Sequence, residues 1–137
     1  MSEQSDPQKQ LKIQKGILQA EDELVVWIQT ALDNTKYGDL EESQFRNLVR
    51  LSDTTDSAEV IKNFIRYQVG RDKKWGRGKE SLAEKIIEDI DGNIQKKAQE
   101  IAKSCQSDFK PIWLEMIRRY LGYGARYLKY KRDGIQV

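Results

Sequence analysis

Residues Glu41 to Lys79 read EESQFRNLVRLSDTTDSAEVIKNFIRYQVGRDKKWGRGK, and the reading of this stretch decides the fold. At about 100° per residue, Phe45, Leu48, Val49 and Ser52 fall on one side of a helix, which predicts a helix over Glu42 to Leu51. Arg46 and Arg50, four residues apart, share its other side. A Thr-Thr-Asp turn follows. Asp56, with Glu59 three residues later, has a capping-box pattern and opens the next helix. Ala58, Ile61, Phe64, Ile65 and Val69 form its inward stripe, while Lys62, Asn63 and Arg66 face outward. Gly70 is a natural C-terminal stop with φ > 0. Arg71 to Lys79 then reads as a loop bearing Gly76 and Gly78. The spacing is helical, and few short β-branched runs alternate as a half-buried strand would, so the chain is read as all-α.

Working outward, residues 1–15 read as a flexible polar arm. The first helix spans about Ile17 to Leu32, with Leu24, Val25, Ile28 and Ala31 on its apolar side, and Asn34 to Gly38 forms a turn. On the other flank, Ser81 with Glu84 is a second capping box. It opens a helix that runs to about Ser104, with Asp91-Gly92-Asn93 as the place where it would break or kink. Asp108 caps the last helix, where Pro111 fits the first turn. Trp113, Met116, Ile117, Tyr120, Gly124, Tyr127 and Leu128 make its apolar stripe. Gly124 lies within that stripe, where a missing side chain lets another helix approach. Residues 133–137 read as a loose end. The expectation is one bundle domain over residues 16–132, of five helices, or six if the fourth is broken.

Composition removes several kinds of chemistry. The 137 residues include one cysteine, Cys105, and no histidine. An intrachain disulfide, a cysteine-cluster or histidine zinc site, a His general base and the usual Ser or Cys triads are all excluded. Asp89, Asp91, Asn93 and Glu100 match part of a calcium-loop spacing, but Ile94 stands where that loop needs glycine. They read instead as solvated helix charges. Gly76-x-Gly78 follows no strand and is not a dinucleotide fingerprint. Neither catalytic residues nor a cofactor are expected. The polar N-terminus and the lack of a long apolar run make a cytoplasmic protein the expectation.

The net charge is only +2, yet its distribution is uneven. Arg66, Arg71, Lys73, Lys74, Arg77 and Lys79 face a single acid, Asp72, within Arg66 to Lys79. Arg118 to Arg132 contains no acid at all. Both clusters are interleaved with aromatics: Tyr67 and Trp75 in one, Tyr120, Tyr123, Tyr127 and Tyr130 in the other. Lys and Arg neutralise phosphates, and aromatic rings stack on unpaired bases. Tyr120 and Tyr127 lie on the apolar stripe and read better as core. Charge and spacing leave two readings open, a nucleic-acid-binding protein and a helical adaptor that meets only protein.

Three segments carry a family resemblance: Ser43-Gln44-Phe45-Arg46-Asn47-Leu48-Val49, Phe64-Ile65-Arg66-Tyr67-Gln68-Val69-Gly70-Arg71, and Arg119-Tyr120 with Arg126-Tyr127-Leu128-Lys129-Tyr130. Together they resemble the small helical subunit of type III CRISPR–Cas effector complexes, of the Csm kind. The likeness covers roughly Leu40 to Lys131. Arg126 departs from it, since that family more often has an alanine-tyrosine step there. The stretch from Ser81 to Phe109 is less similar and longer. The resemblance implies a non-catalytic five-helix bundle, present in several copies inside a filament built on guide RNA. Its implied partners are target RNA, the guide–target duplex, further copies of itself, the filament subunits and a large polymerase-like subunit. On this reading Arg46, Arg66, Arg71, Lys73, Lys74, Arg119, Arg126 and Lys129 form one track along an RNA backbone.

Overall fold

A computed structural model describes residues 6–135. Among them run seven α-helices: α1 (Pro7–Gln19), α2 (Glu21–Asn34), α3 (Glu42–Thr54), α4 (Ala58–Arg71), α5 (Leu82–Asp89), α6 (Gln95–Cys105) and α7 (Phe109–Lys129). Two π-helical turns, Ile90–Ile94 and Tyr130–Gly134, extend α5 into α6 and lengthen α7. The described residues contain no strand, only an isolated bridge between Lys36 and Ser81. The chain is all-α, as its periodicity predicts. None of the described helices is long and apolar enough to cross a membrane.

The bundle is built around α7. Its buried residues include Ile112, Trp113, Leu114, Met116, Ile117, Tyr120, Leu121, Gly124, Ala125 and Leu128, so more than one face is covered. Helices α2, α3 and α6 pack against it. Gly124 is where two of them close in. A Cβ placed there would lie 2.7 Å from both Ile28 of α2 and Phe45 of α3. Asp108 caps α7 by accepting from the Lys110 N–H at 3.3 Å, as its position predicts.

The N-terminal expectation is corrected. Residues 7–15, assigned to a polar arm, are helical, and residues 1–5 of that arm lie outside the described residues. Asp6 caps α1 by accepting from Gln8 and Lys9 N–H, and Pro7 suits the first helical position. Lys12 Nζ donates to the Ser104 carbonyl at 3.2 Å. Gly16 lets α1 lie close to Ile101 of α6. The predicted first helix is two helices, joined at the buried Ala20. Glu21, Asp22 and Glu23 occupy the first turn of α2, where acids complement the helix dipole.

Five local readings around α4 to α6 also change. Ser57, not Asp56, caps α4, accepting from Val60 N–H at 3.3 Å. Lys62 is 6% exposed rather than outward-facing. Its ammonium reaches Glu59 at 2.6 Å and Asp91 at 2.8 Å. Burial pulls its pKa down, but the two carboxylates outweigh that and hold it above its ordinary value. Gly70 lies inside α4 without a positive φ, and Asp72 is the C-cap. The Asp91-Gly92-Asn93 segment does not break the rod but widens it into a π turn. There the Ile90 carbonyl accepts from Trp113 Nε1 at 2.7 Å. Asp89, expected in solvent, is 1% exposed. It accepts from Tyr120 Oη at 2.6 Å and pairs with Lys85 at 3.1 Å, which satisfies a charge that could not otherwise stay buried.

Candidate nucleic-acid interface

The loop after α4 is tied down along its length. Asp72 Oδ1 accepts from Lys74 N–H at 2.9 Å, a local turn typical of aspartate. Gly76 has φ +80°, and a Cβ there would meet the Lys36 carbonyl at 2.2 Å, so both conformation and space require glycine. Trp75 is 2% exposed and lies 5.3 Å from the Phe45 ring. The Trp75 carbonyl accepts from Ala83 N–H at 3.1 Å, and that of Lys74 from Gly38 N–H at 3.0 Å. Arg77 Nε donates to the Val69 carbonyl at 3.1 Å, near the C-terminal end of α4. Trp75 was a candidate for stacking on a base. It is instead the apolar anchor that fixes the loop to the core.

Cations line the end of α4 and this loop. Arg66, Arg71 and Lys73 are exposed and Lys74 is half-buried. No side-chain hydrogen bond or ion pair engages any of the four among the described residues. Tyr67 lies among them, 59% exposed. Asp72, the acid nearest in sequence, is held by its backbone bond to Lys74.

The remaining predicted residues are placed differently. Helices α3 and α7 run antiparallel. Arg118 donates to the Ser52 and Thr55 carbonyls at one end of α3, and Arg132 to the Leu40 carbonyl at the other. Arg46 and Arg126 therefore lie at about the same level along the paired helices, with Lys129 one turn on from Arg126. Arg126 is exposed and unpartnered among the described residues. Arg46 bonds Glu42 at 3.1 Å, and Lys129 bonds Asp133. Asp133, with smaller contributions from Glu42 and Glu41, raises the Lys129 pKa.

Arg119 belongs to neither set. It bridges Glu115 at 2.7 Å and Glu21 at 2.8 Å, clamping α7 to α2. The single track expected from the sequence is thus divided. Arg66 and Arg71 lie on α4 and Lys73 and Lys74 on the loop after it, Arg46 and Lys129 are paired with acids on α3 and after α7 respectively, Arg126 is exposed, and Arg119 is a clamp.

The tyrosines of α7 are also engaged. Tyr120 is buried against Asp89, and burial together with that carboxylate pushes its pKa well up. Tyr123 donates to Glu21 at 2.5 Å and Tyr127 to Asp33 at 2.9 Å. Sequence reasoning missed the structural duties of Arg118 and Arg132, whose carbonyl partners lie far away along the chain. No group of three or more His, Cys, Asp or Glu side chains suited to a metal ion gathers among the described residues. A scan of protein-family models, a search of curated proteins and a search of solved structures each return no match.

Proposed function

We propose that the protein is a non-catalytic small subunit of a type III CRISPR–Cas interference complex, holding target RNA and the guide–target duplex by their backbones. The observation that carries this reading is the run of Arg66 and Arg71 on α4 with Lys73 and Lys74 on the loop that Trp75 anchors, none of them in a side-chain hydrogen bond or ion pair among the described residues. A surface of this kind neutralises phosphates without reading bases, and pairing with a guide supplies the sequence specificity. The cytoplasm, further copies of the chain, filament subunits and a large polymerase-like subunit complete the proposed setting.

Fluorescence polarisation with single-stranded RNA across a salt series tests the proposal. Each phosphate contact contributes about 0.7 to the slope of log K against log salt, so four contribute roughly 3. Arg66→Ala and Arg71→Ala should each remove about one such step on every RNA sequence alike. Arg50→Ala should not, because Arg50 is turned to Asn47 at 2.8 Å. An unchanged slope after all four cations are replaced would sink the reading. A helical adaptor that meets only protein would then take its place. Leu11 and Leu18, 70% and 53% exposed and seven residues apart on α1, favour that second reading.

A further inference from the structure

We infer that the α4 face takes unpaired RNA, with one base stacked on Tyr67 and the adjoining backbone passing over Gly70. This rests on the RNA-backbone reading of the same face and adds to it a contact that only unpaired nucleotides can make.

Two independent observations support it. The first concerns Tyr67. Its ring is braced by Phe64, 6.3 Å away between centroids, yet 59% of the residue is open. Its hydroxyl has no partner among the described residues, and its neighbours Arg66 and Arg71 make no side-chain hydrogen bond or close ion pair there, Arg66 acting on Glu59 only through space. Tyr130 is similarly exposed and has the unpartnered Arg126 one turn before it, but the cations that follow it are taken. Its ring packs on Tyr127, and the adjacent Lys131 and Arg132 are committed to Asp33 and to the Leu40 and Gly38 carbonyls. An aromatic face flanked by free cations is what sequence-tolerant recognition of single strands uses.

The second concerns Gly70. It lies within α4, its φ is not positive, and a Cβ added there meets nothing within 4 Å. Neither backbone conformation nor packing calls for glycine, which weakens a helix. A helical side chain leans back over the preceding turn. Any side chain at position 70 would therefore cover the ground beside Arg66 and Tyr67. Glycine leaves that ground bare for a close approach by another molecule. A base in a duplex has both faces covered by its neighbours, so only an unpaired base can use the Tyr67 ring.

The test uses the purified full chain and three fluorescein-labelled probes: an oligouridylate, an abasic ribose-phosphate chain of equal length, and an A-form RNA duplex. Tyr67→Ala should bind the oligouridylate roughly ten-fold more weakly, with the salt slope unchanged because no charge is lost. Tyr67→Phe should bind like wild type. Wild type and Tyr67→Ala should bind the abasic chain equally, and likewise the duplex. Gly70→Ala should raise Tm while weakening the oligouridylate, which no folding defect can mimic. If Tyr67→Ala matches wild type on the oligouridylate while the salt slope persists, stacking is wrong and the backbone reading stands. If wild type binds none of the probes, both fall.

Discussion

Replacing Trp75 with alanine separates an anchor from a base-binding residue. Trp75 is 2% exposed, so nearly its whole side chain leaves water on folding. Truncating a buried tryptophan to alanine costs about 3–5 kcal/mol, within which a ring pair such as that with Phe45 accounts for about 0.5–1.5 kcal/mol. Domains of this size are stable by about 5–15 kcal/mol, so the loss is a large share. At a urea m-value near 2 kcal/mol/M, it moves the unfolding midpoint down by roughly 2 M. Circular dichroism should follow the transition, because the substitution itself alters tryptophan fluorescence. Trp75→Phe should recover a good part of the shift. RNA affinity should fall with stability, since the loop that carries Lys73 and Lys74 loses its tether. A midpoint within about 0.5 M of wild type, together with lost RNA affinity, would refute this reasoning and return Trp75 to the surface as a stacking residue.

Arg119→Ala should cost about 1–2 kcal/mol by urea denaturation, because it leaves Glu21 and Glu115 without their shared partner, while the salt slope of RNA binding stays unchanged. A reduced slope with intact stability would make Arg119 an RNA ligand after all. Lys131, by hydrogen bonding, holds the Asp33 carboxyl below its ordinary 3.8; burial opposes it, and the Tyr127 hydrogen bond helps by less than burial costs. A depressed carboxylate contributes stability above the unfolded value and loses it as pH falls through the folded one. The Tm advantage of wild type over Asp33→Asn should therefore hold above about pH 5 and fade below 3.8. A difference independent of pH across that range would show that the Asp33 charge does not act this way.

What could be read from the sequence was short-range. Ser81 caps α5 and Asp108 caps α7 because a side-chain oxygen meets an N–H only two or three residues away. The apolar stripe of α7, with Gly124 as its gap, follows from helical geometry alone. The basic loop was visible as a run of charge with two glycines, and Gly76 and Gly78 do adopt positive φ. Even local signals had limits where two neighbours competed. Ser57 displaced Asp56 as the cap of α4, and Asp56 lies instead 3.5 Å from Arg118.

Only the tertiary structure decided which charged and aromatic groups are free. Lys62 lies on the outward side of its own helix's stripe, yet Asp91 of the neighbouring π turn reaches it. Trp75 sits in the middle of a cationic run, yet Phe45 of α3 takes its ring into the core. Arg119 and Arg126 look alike in sequence, one turn pair apart on α7. Glu21 of α2 claims the first, and no described residue claims the second. Caps and periodicity are set by residues a turn away, so they are written in order along the chain. Burial and charge pairing depend on which helix lies opposite, and that is settled only when all the helices have packed.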